Sequence, residues 1–327
     1  MMLVTGGAGF IGSNIAARFT GAGTDTAVCD WLGNDDKWKN LRHHLLADIV
    51  APENLDAWLE VHGRNLSSII HMGAISSTME SDVDLIIDSN FRLSVKLWQF
   101  CSASQIPFIY ASSAATYGDG DKGFDDNTED EYMAGLMPLN PYGWSKHLFD
   151  RWVLSQLKKG NPQPPKWAGL KFFNVYGPNE YHKGSMKSVI AQNYDKVASG
   201  EAIRLFKSYN PDYSDGGQMR DFVYVKDCVN VIEWMLNHEF EPGIYNLGTG
   251  LAKSWNDLAR AMFAAIGRPA NIDYIEMPET LRGRYQYFTE ATMAKLKRAG
   301  CNINFRSLDD GVKDYITAHL SQEDPYL

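Results

Sequence analysis

The chain has 327 residues, 44% of them hydrophobic and 22% charged, the balance of a folded globular protein rather than a disordered one. A net charge of −9 with no basic tract argues against a nucleic-acid surface. Four cysteines, Cys29, Cys101, Cys228 and Cys301, stand apart with no C-x-x-C pair, so no disulfide framework, zinc site or redox motif is indicated.

Met1–Thr5 already reads as a strand, which leaves no room for a signal peptide, and no apolar run approaches a membrane span. The expectation is a cytoplasmic protein with no metal, membrane or nucleic-acid partner. Gly6–Gly12 is a glycine-rich turn, and Ile11–Thr20 has helical spacing, with Ile11, Ile15, Ala16 and Phe19 on one face. Thr26–Asp30 is a second strand and Trp31–Asn40 a polar loop. Leu45–Ile49 reads as a third strand, Leu55–His62 as a helix and Ser67–His71 as a fourth strand. A long helix over Asp84–Ser104, a strand over Pro107–Ser112, a helix over Tyr142–Leu157 and a strand over Leu170–Asn174 follow. This alternation predicts an α/β fold with a Rossmann-type, doubly wound parallel sheet.

After Tyr176 the alternation fades. Ser185–Ser199 reads as a helix, Ile203–Phe206 as a strand and Tyr209–Gln218 as a loop. Phe222–Val225, Val229–Asn237 and Ile244–Leu247 return to sheet or helix spacing. The expected division is a dinucleotide-binding domain over 1–173, with later returns near 221–247. A smaller C-terminal domain over 174–327 would be mainly substrate-binding.

The turn Thr5-Gly6-Gly7-Ala8-Gly9-Phe10-Ile11-Gly12 sits at the first strand–helix junction. Gly6 permits the tight turn, Gly9 lets the backbone approach a pyrophosphate, and Gly12 lets helix and strand pack closely. The helix N-terminus then offers free N–H groups and a positive dipole end to phosphate. Asp30, at the end of the second strand, is placed to accept from the adenosine ribose. By itself it favours NAD, and Lys37 in the same loop can reverse that preference toward NADP. Asp48, ending the third strand, is a candidate for the adenine amino group. The small residues of Gly73-Ala74-Ile75-Ser76 suit close approach to the dinucleotide.

Tyr142-Gly143-Trp144-Ser145-Lys146 is a Y-x-x-x-K, whose first and last residues share a helix face. A phenol with a pKa near ~10 is protonated at neutral pH. A neighbouring ammonium and an oxidised nicotinamide stabilise its phenolate, which can then take a proton from a substrate hydroxyl. Ser113, in Ser112-Ser113-Ala114-Ala115-Thr116-Tyr117-Gly118, is placed to hydrogen-bond the reacting oxygen. Asn174 ends the sixth strand, at the sheet edge where open α/β folds bind ligands. His71 reads as a satisfied histidine beneath that edge. Arg220, Arg282 and Arg284 are candidates for a diphosphate, since guanidinium matches phosphate oxygens bidentately.

These residues are the pattern of the extended short-chain dehydrogenase/reductases. The segments TGGAGFIGSN, SSAATYG, NPYGWSK, KFFNVYGPNEYHKGSM, MRDFVYVKD, YNLGTG and LRGRYQYFT carry the match almost end to end. HMGAISST, HKGSM and GRYQ narrow it: the chain resembles the ADP-glyceromanno-heptose 6-epimerase family of heptose precursor synthesis for lipopolysaccharide. The resemblance implies an isomerase that inverts C6 of an ADP-linked heptose through a 6-keto intermediate. It also implies one tightly held NADP or NAD per subunit, with NADP favoured, and a homo-oligomer. Tyr142 would be one proton acceptor, supported by Lys146 and Ser113, and Lys183 the second acid/base across the site. Phe10, Ile11, Asp30, Lys37, Met72–Ser76, Val175 and Lys183 would meet the cofactor. Asn174, Ser185, Gln192, Phe206, Arg220 and Tyr285 would meet the substrate.

A second proton-transfer residue also makes chemical sense. Hydride must return to the opposite face of the ketone, where the new alkoxide points elsewhere. A UDP-hexose 4-epimerase is the sister alternative. A 4,6-dehydratase would want an Asp-Glu pair where the alanines after Ser113 stand. A non-catalytic dinucleotide sensor would have no need of the Tyr/Lys pair.

Overall fold

Seven short parallel strands form the central sheet in a computed structural model that describes residues 1–282 and 285–327. They are β1 (Met2–Thr5), β2 (Thr26–Cys29), β3 (Asp48–Val50), β4 (Ser68–His71), β5 (Phe108–Ser113), β6 (Trp167–Phe172) and β7 (Gly243–Leu247). Their spatial order is β7-β6-β5-β4-β1-β2-β3. The chain runs outward from β1 to β3, then returns to the other side of β1 as β4. That reversal opens a crevice at the C-terminal ends of β1 and β4, where such sheets hold ligands.

Both faces of the sheet are covered, so its strands are apolar at successive positions. Leu3, Ile69 and Phe108 enter one core beneath the sheet. Val4, Ile70 and Ile109, one residue along each strand, enter the core on the opposite face, as the two-residue period of a strand requires. Burying each such side chain stabilises the fold by roughly 1.5–3 kcal/mol.

The long helices are α1 (Phe10–Gly21), α2 (Leu55–His62), α3 (Leu93–Ser104), α4 (Pro141–Lys158), α5 (Val189–Ser199), α6 (Val225–Asn237), α7 (Trp255–Ala265) and α8 (Leu308–Tyr315). Asn140 caps α4 by accepting from Gly143 N–H at 2.8 Å, with Pro141 preset at the first helical position. A third core joins α5, α7 and α8 through Ile190, Met262, Phe263, Val312 and Tyr315. Strand Ile203–Phe206 pairs in parallel with Ile272–Ile275 in this later part of the chain. No helix among the described residues is long and apolar enough to cross a membrane.

Several expected boundaries move. The third strand is not Leu45–Ile49: Leu45 is 93% exposed, and pairing with β2 starts at Asp48. The polar stretch after Trp31 contains a 3₁₀ helix, Asp36–Leu41, started by the Asp35 carboxylate. The helix expected from Ser185 begins at Val189, because Gly184 takes a positive φ of 54° and Ser188 supplies the cap. The expected helix Asp84–Ser104 is interrupted by a π-helical stretch, Ile87–Arg92. α7 and α8 lie where no element was expected, although Trp255, Leu258, Ala259, Met262 and Phe263 in the first and Leu308, Val312 and Tyr315 in the second recur at helical spacing.

Candidate active site

Above the sheet's C-terminal edge lies a cavity of about 1290 Å³. Its floor at one end is the glycine-rich turn. Gly6 has a positive φ of 64°, and a Cβ there would lie 2.6 Å from the Gly73 backbone. A Cβ on Gly12 would lie 2.2 Å from the Gly6 carbonyl oxygen. So β1, α1 and the residue after β4 meet at backbone distance, which only glycines permit. No side chain among the described residues caps α1, which leaves its first-turn N–H groups facing the cavity for an anion. Gly6, Gly9, Phe10, Ile11 and Gly12 all line it.

Asp30 lines the same end, and its two oxygens are both engaged. One accepts from Ala8 N–H at 2.9 Å and the other receives the Lys37 ammonium at 2.6 Å. Lys37 also reaches Trp31 C=O at 2.8 Å. The Met72, Gly73, Ala74, Ile75 and Ser76 segment forms the next wall. Its placement comes from the π-helical stretch, which turns buried Asn90 toward it. The Asn90 amide exchanges two hydrogen bonds with the Ile75 backbone, at 2.8 and 3.0 Å, and donates to Ser145 Oγ on α4 at 3.0 Å. Asp48 does not line the cavity; its carboxylate receives the Trp58 indole N–H at 2.7 Å, so it is committed to holding α2. His71 is satisfied on both ring nitrogens, by Thr5 Oγ1 at 2.6 Å and Ser94 Oγ at 2.8 Å.

Deeper in the cavity stand Ser113, Tyr142 and Lys146. Successive residues at the end of β5 point opposite ways. Ser112 Oγ donates to buried Asp150 at 2.6 Å, while Ser113 turns to the cavity and partners the Tyr142 phenol. Burial pushes the Tyr142 pKa up, and the Ser113 hydroxyl opposes that rise. Burial also brings Lys146 down to about 8, against the pull of Asp150 one helical turn away. An ammonium poised near neutrality beside a phenol is the arrangement that proton transfer needs.

Asp150 was not singled out in the sequence. It is fully buried, and accepts from Tyr110 OH at 3.0 Å as well as from Ser112. Its other neighbour is Lys171 on β6, at 3.9 Å. Lys171 is 1% exposed, donates to Thr116 Oγ1 at 3.0 Å and sits 4.2 Å over the Tyr117 ring. Two buried ammoniums thus share one carboxylate beneath the Ser113 turn. The sequence signal was the extension of Y-x-x-x-K by a further i+4 carboxylate.

Lys183 enters from the 3₁₀ segment Tyr181–Met186, with Asn174 and Val175 on the neighbouring wall. Its ammonium stands 5.2 Å from the Phe10 ring. Burial lowers its pKa, and fully buried Glu180 opposes the shift. Ser185 and Gln192 are exposed and do not line the cavity; the Gln192 amide donates to Ser185 C=O at 3.1 Å and Lys187 C=O at 2.6 Å, bracing the turn behind Lys183. Phe206, Arg220 and Tyr285 form a separate cluster that meets the cavity through Trp255, which does line it. The Arg220 guanidinium lies 5.3 Å from the Tyr285 ring and 5.9 Å from Trp255, with no paired carboxylate among the described residues. Arg282 covers the Tyr209 ring at 4.0 Å. Arg284 lies outside the described residues. Among the described residues no His, Cys, Asp and Glu group could hold a metal.

Residues 2–248 match the NAD dependent epimerase/dehydratase family. The chain is 48% identical, over the full length of both, to the ADP-L-glycero-D-manno-heptose-6-epimerase of Nitratidesulfovibrio vulgaris strain Hildenborough. The chain belongs to the NAD-dependent epimerase family, in its ADP-L-glycero-D-manno-heptose-6-epimerase branch. The enzyme of that name from Fusobacterium nucleatum is 46% identical, again over both whole chains. Among solved structures, the Helicobacter pylori ADP-L-glycero-D-manno-heptose-6-epimerase superposes with a TM-score of 0.79 at 26% identity, covering 97% of this chain and 95% of that one. Membership in the epimerase family implies a nicotinamide dinucleotide as cofactor. The cradle closed to any Cβ and the uncapped α1 terminus fit that ligand.

Proposed function

We propose that this epimerase inverts C6 of ADP-D-glycero-D-manno-heptose to the L-glycero form through a transient 6-keto sugar. One observation carries the reading. Tyr142 and Lys183, two proton-transfer groups from different segments, line one cavity with the glycine-rich turn. The names of the relatives supply the substrate class. A bound nicotinamide dinucleotide supplies hydride acceptance and return at the sugar carbon.

The chain's own residues supply the rest. Ser113 holds the substrate hydroxyl and Tyr142 takes its proton, with Lys146 as the neighbouring cation that stabilises the phenolate. Lys183 acts as acid/base for the oxygen of the opposite configuration. Burial lowers its pKa from the ordinary lysine value, which eases both giving and taking a proton. Arg220, a buried guanidinium with no carboxylate partner among the described residues, is available to the diphosphate, beside Tyr285 and Phe206. Ser185 and Gln192 would act on substrate only through the turn they shape. The sister reading, a UDP-hexose 4-epimerase, is not favoured by the names of the relatives at 46–48% identity.

NADP is the cofactor we assign. The Lys37 ammonium neutralises Asp30, which would otherwise repel a 2′-phosphate, and stands beside it as that phosphate's partner. Residues 1–173 with the returns at 221–247 form the dinucleotide part in this reading, and most of 174–327 the substrate part. A cytoplasmic homo-oligomer completes it, and sedimentation measures the last point. The test of function is incubation of the purified protein with ADP-D-glycero-β-D-manno-heptose and no added cofactor, followed by NMR at C6. Conversion to the L-glycero epimer is expected. No conversion, even with NAD or NADP supplied, overturns the assignment.

A further inference from the structure

The segment that carries Lys183 is sewn to the dinucleotide turn by buried side-chain amides. Asn14 on α1 donates to Phe10 C=O and to Pro178 C=O, both at 2.9 Å. Asn179, fully buried at a positive φ of 70°, donates to Ser13 Oγ at 3.1 Å. Asn40, fully buried beside the Lys37 loop, donates to Ala8 C=O at 2.8 Å and contacts His182 Nδ1 at 3.1 Å. Ala8 is inside the glycine-rich turn, and His182 is the residue before Lys183.

The polarity of the Asn40 link is fixed by its first partner. A carbonyl only accepts, so the amide must turn its NH₂ toward Ala8. That leaves the second N–H for His182, whose Nδ1 must then be the bare acceptor, with the ring proton on Nε2. Burial, with Lys37 and Lys183 nearby as cations, holds the His182 pKa down to about 4. The acceptor form therefore persists across the neutral range. The opposite Asn40 oxygen has no partner among the described residues. A buried amide oxygen left without a partner is a net cost to the fold. An amide retained at that cost is holding two partners in register. Apolar packing would have been the less expensive way to fill the space.

We infer that Asn40 and His182 are positioning residues: they register Lys183 against the cofactor's phosphate turn, so that the second acid/base is placed from the dinucleotide site. The inference rests on the acid/base role proposed for Lys183. Neither side chain is needed to carry a proton. The segment's outer side is latched independently by the Tyr181 hydroxyl, which donates to Pro325 C=O at 3.0 Å, so loss of the link loosens placement without releasing the segment.

The decisive comparison uses His182→Ala, His182→Asn and Lys183→Met in the cofactor-loaded enzyme. Asparagine puts its carbonyl oxygen near the place of His Nδ1, and so restores an acceptor for Asn40 without an imidazole. His182→Ala should lower kcat at least tenfold, with bound cofactor and KM within threefold of wild type. His182→Asn should recover kcat to within threefold. Asn40→Ala should reproduce the His182→Ala kinetics if it folds; the histidine pair alone decides the matter if it does not. A His182→Ala enzyme with kcat within twofold of wild type, or a His182→Asn enzyme as slow as His182→Ala, overturns the inference. Full turnover by Lys183→Met refutes the Lys183 role itself, whereas an inactive Lys183→Met beside an unimpaired His182→Ala refutes only the positioning link.

Discussion

Replacing Asp150 with asparagine keeps the side chain's shape and removes its charge from between two buried lysines. An asparagine can still serve the Tyr110 and Ser112 hydroxyls, so the loss is mainly electrostatic. Leaving a buried charge without its partner costs about 3–5 kcal/mol. The alternative is for a lysine to give up its proton. Lys146, already brought down to about 8, needs only about one unit more to be neutral at pH 7, or roughly 1.4 kcal/mol. Loss of a proton from a lysine is therefore the less costly outcome. The Asp150→Asn enzyme should lose between ~1.4 and ~5 kcal/mol at pH 7, a large part of a typical net stability of about 5–15 kcal/mol. The sign with pH follows. Folded lysines of lowered pKa bind fewer protons than unfolded ones, so the variant's deficit shrinks as pH rises from 7 to 9. Activity moves the other way, because the ammonium beside Tyr142 is lost at lower pH than in wild type. Urea unfolding at pH 7 and 9, with kcat measured across the same range, reads both effects. A stability change below ~0.5 kcal/mol at pH 7 together with an unmoved basic limb would refute the shared-carboxylate argument.

Other perturbations have equally direct outcomes. Gly12→Ala drives a Cβ to 2.2 Å from the Gly6 carbonyl; the purified variant should carry no dinucleotide, and its absorbance near 260 nm reports that. Retained stoichiometric cofactor would contradict the close-approach argument. Glu180→Gln removes the carboxylate that raises the Lys183 pKa, so the pH limb assigned to Lys183 should shift to lower pH, and a shift upward would show that Glu180 acts otherwise. His71, held to about 3 by burial and by Lys146, is neutral when folded and near ~6.5 when unfolded. The unfolded chain binds the extra proton between those values, so this contribution is complete above pH ~6.5 and amounts to a loss of about 2 kcal/mol by pH 5. His71→Gln should make stability less steep over that window by one proton; an unchanged slope would mean the histidine is not buried neutral.

What could be read in advance was local. The glycine-rich turn, Asp30 and Y-x-x-x-K are contiguous or bound to one helix or strand end, and their spacing encodes their geometry. The strand's alternation of faces, which sends Ser112 to Asp150 and Ser113 to the cavity, is likewise a local property. The rest depends on contacts between distant segments. Lys171 on β6 meets Asp150 on α4 only once the sheet is built. Asn40 meets His182 across 142 positions. Asp48 ends a strand, as an adenine ligand would, but the Trp58 indole claims it. Arg220 and Tyr285, expected at the substrate, gather beside Trp255, a meeting of distant segments that local spacing does not specify.

The central claim is that the hydrogen at C6 leaves and returns within one active site. The direct test is ADP-D-glycero-β-D-manno-heptose deuterated at C6, converted in ordinary water by the enzyme as purified, with the product examined by NMR and mass spectrometry. Hydride transfer to and from a retained nicotinamide predicts inverted product that keeps its deuterium at C6. Inversion with the label replaced by solvent hydrogen would mean that the carbon was deprotonated instead, and the account built on Tyr142, Lys183 and the dinucleotide turn would fail.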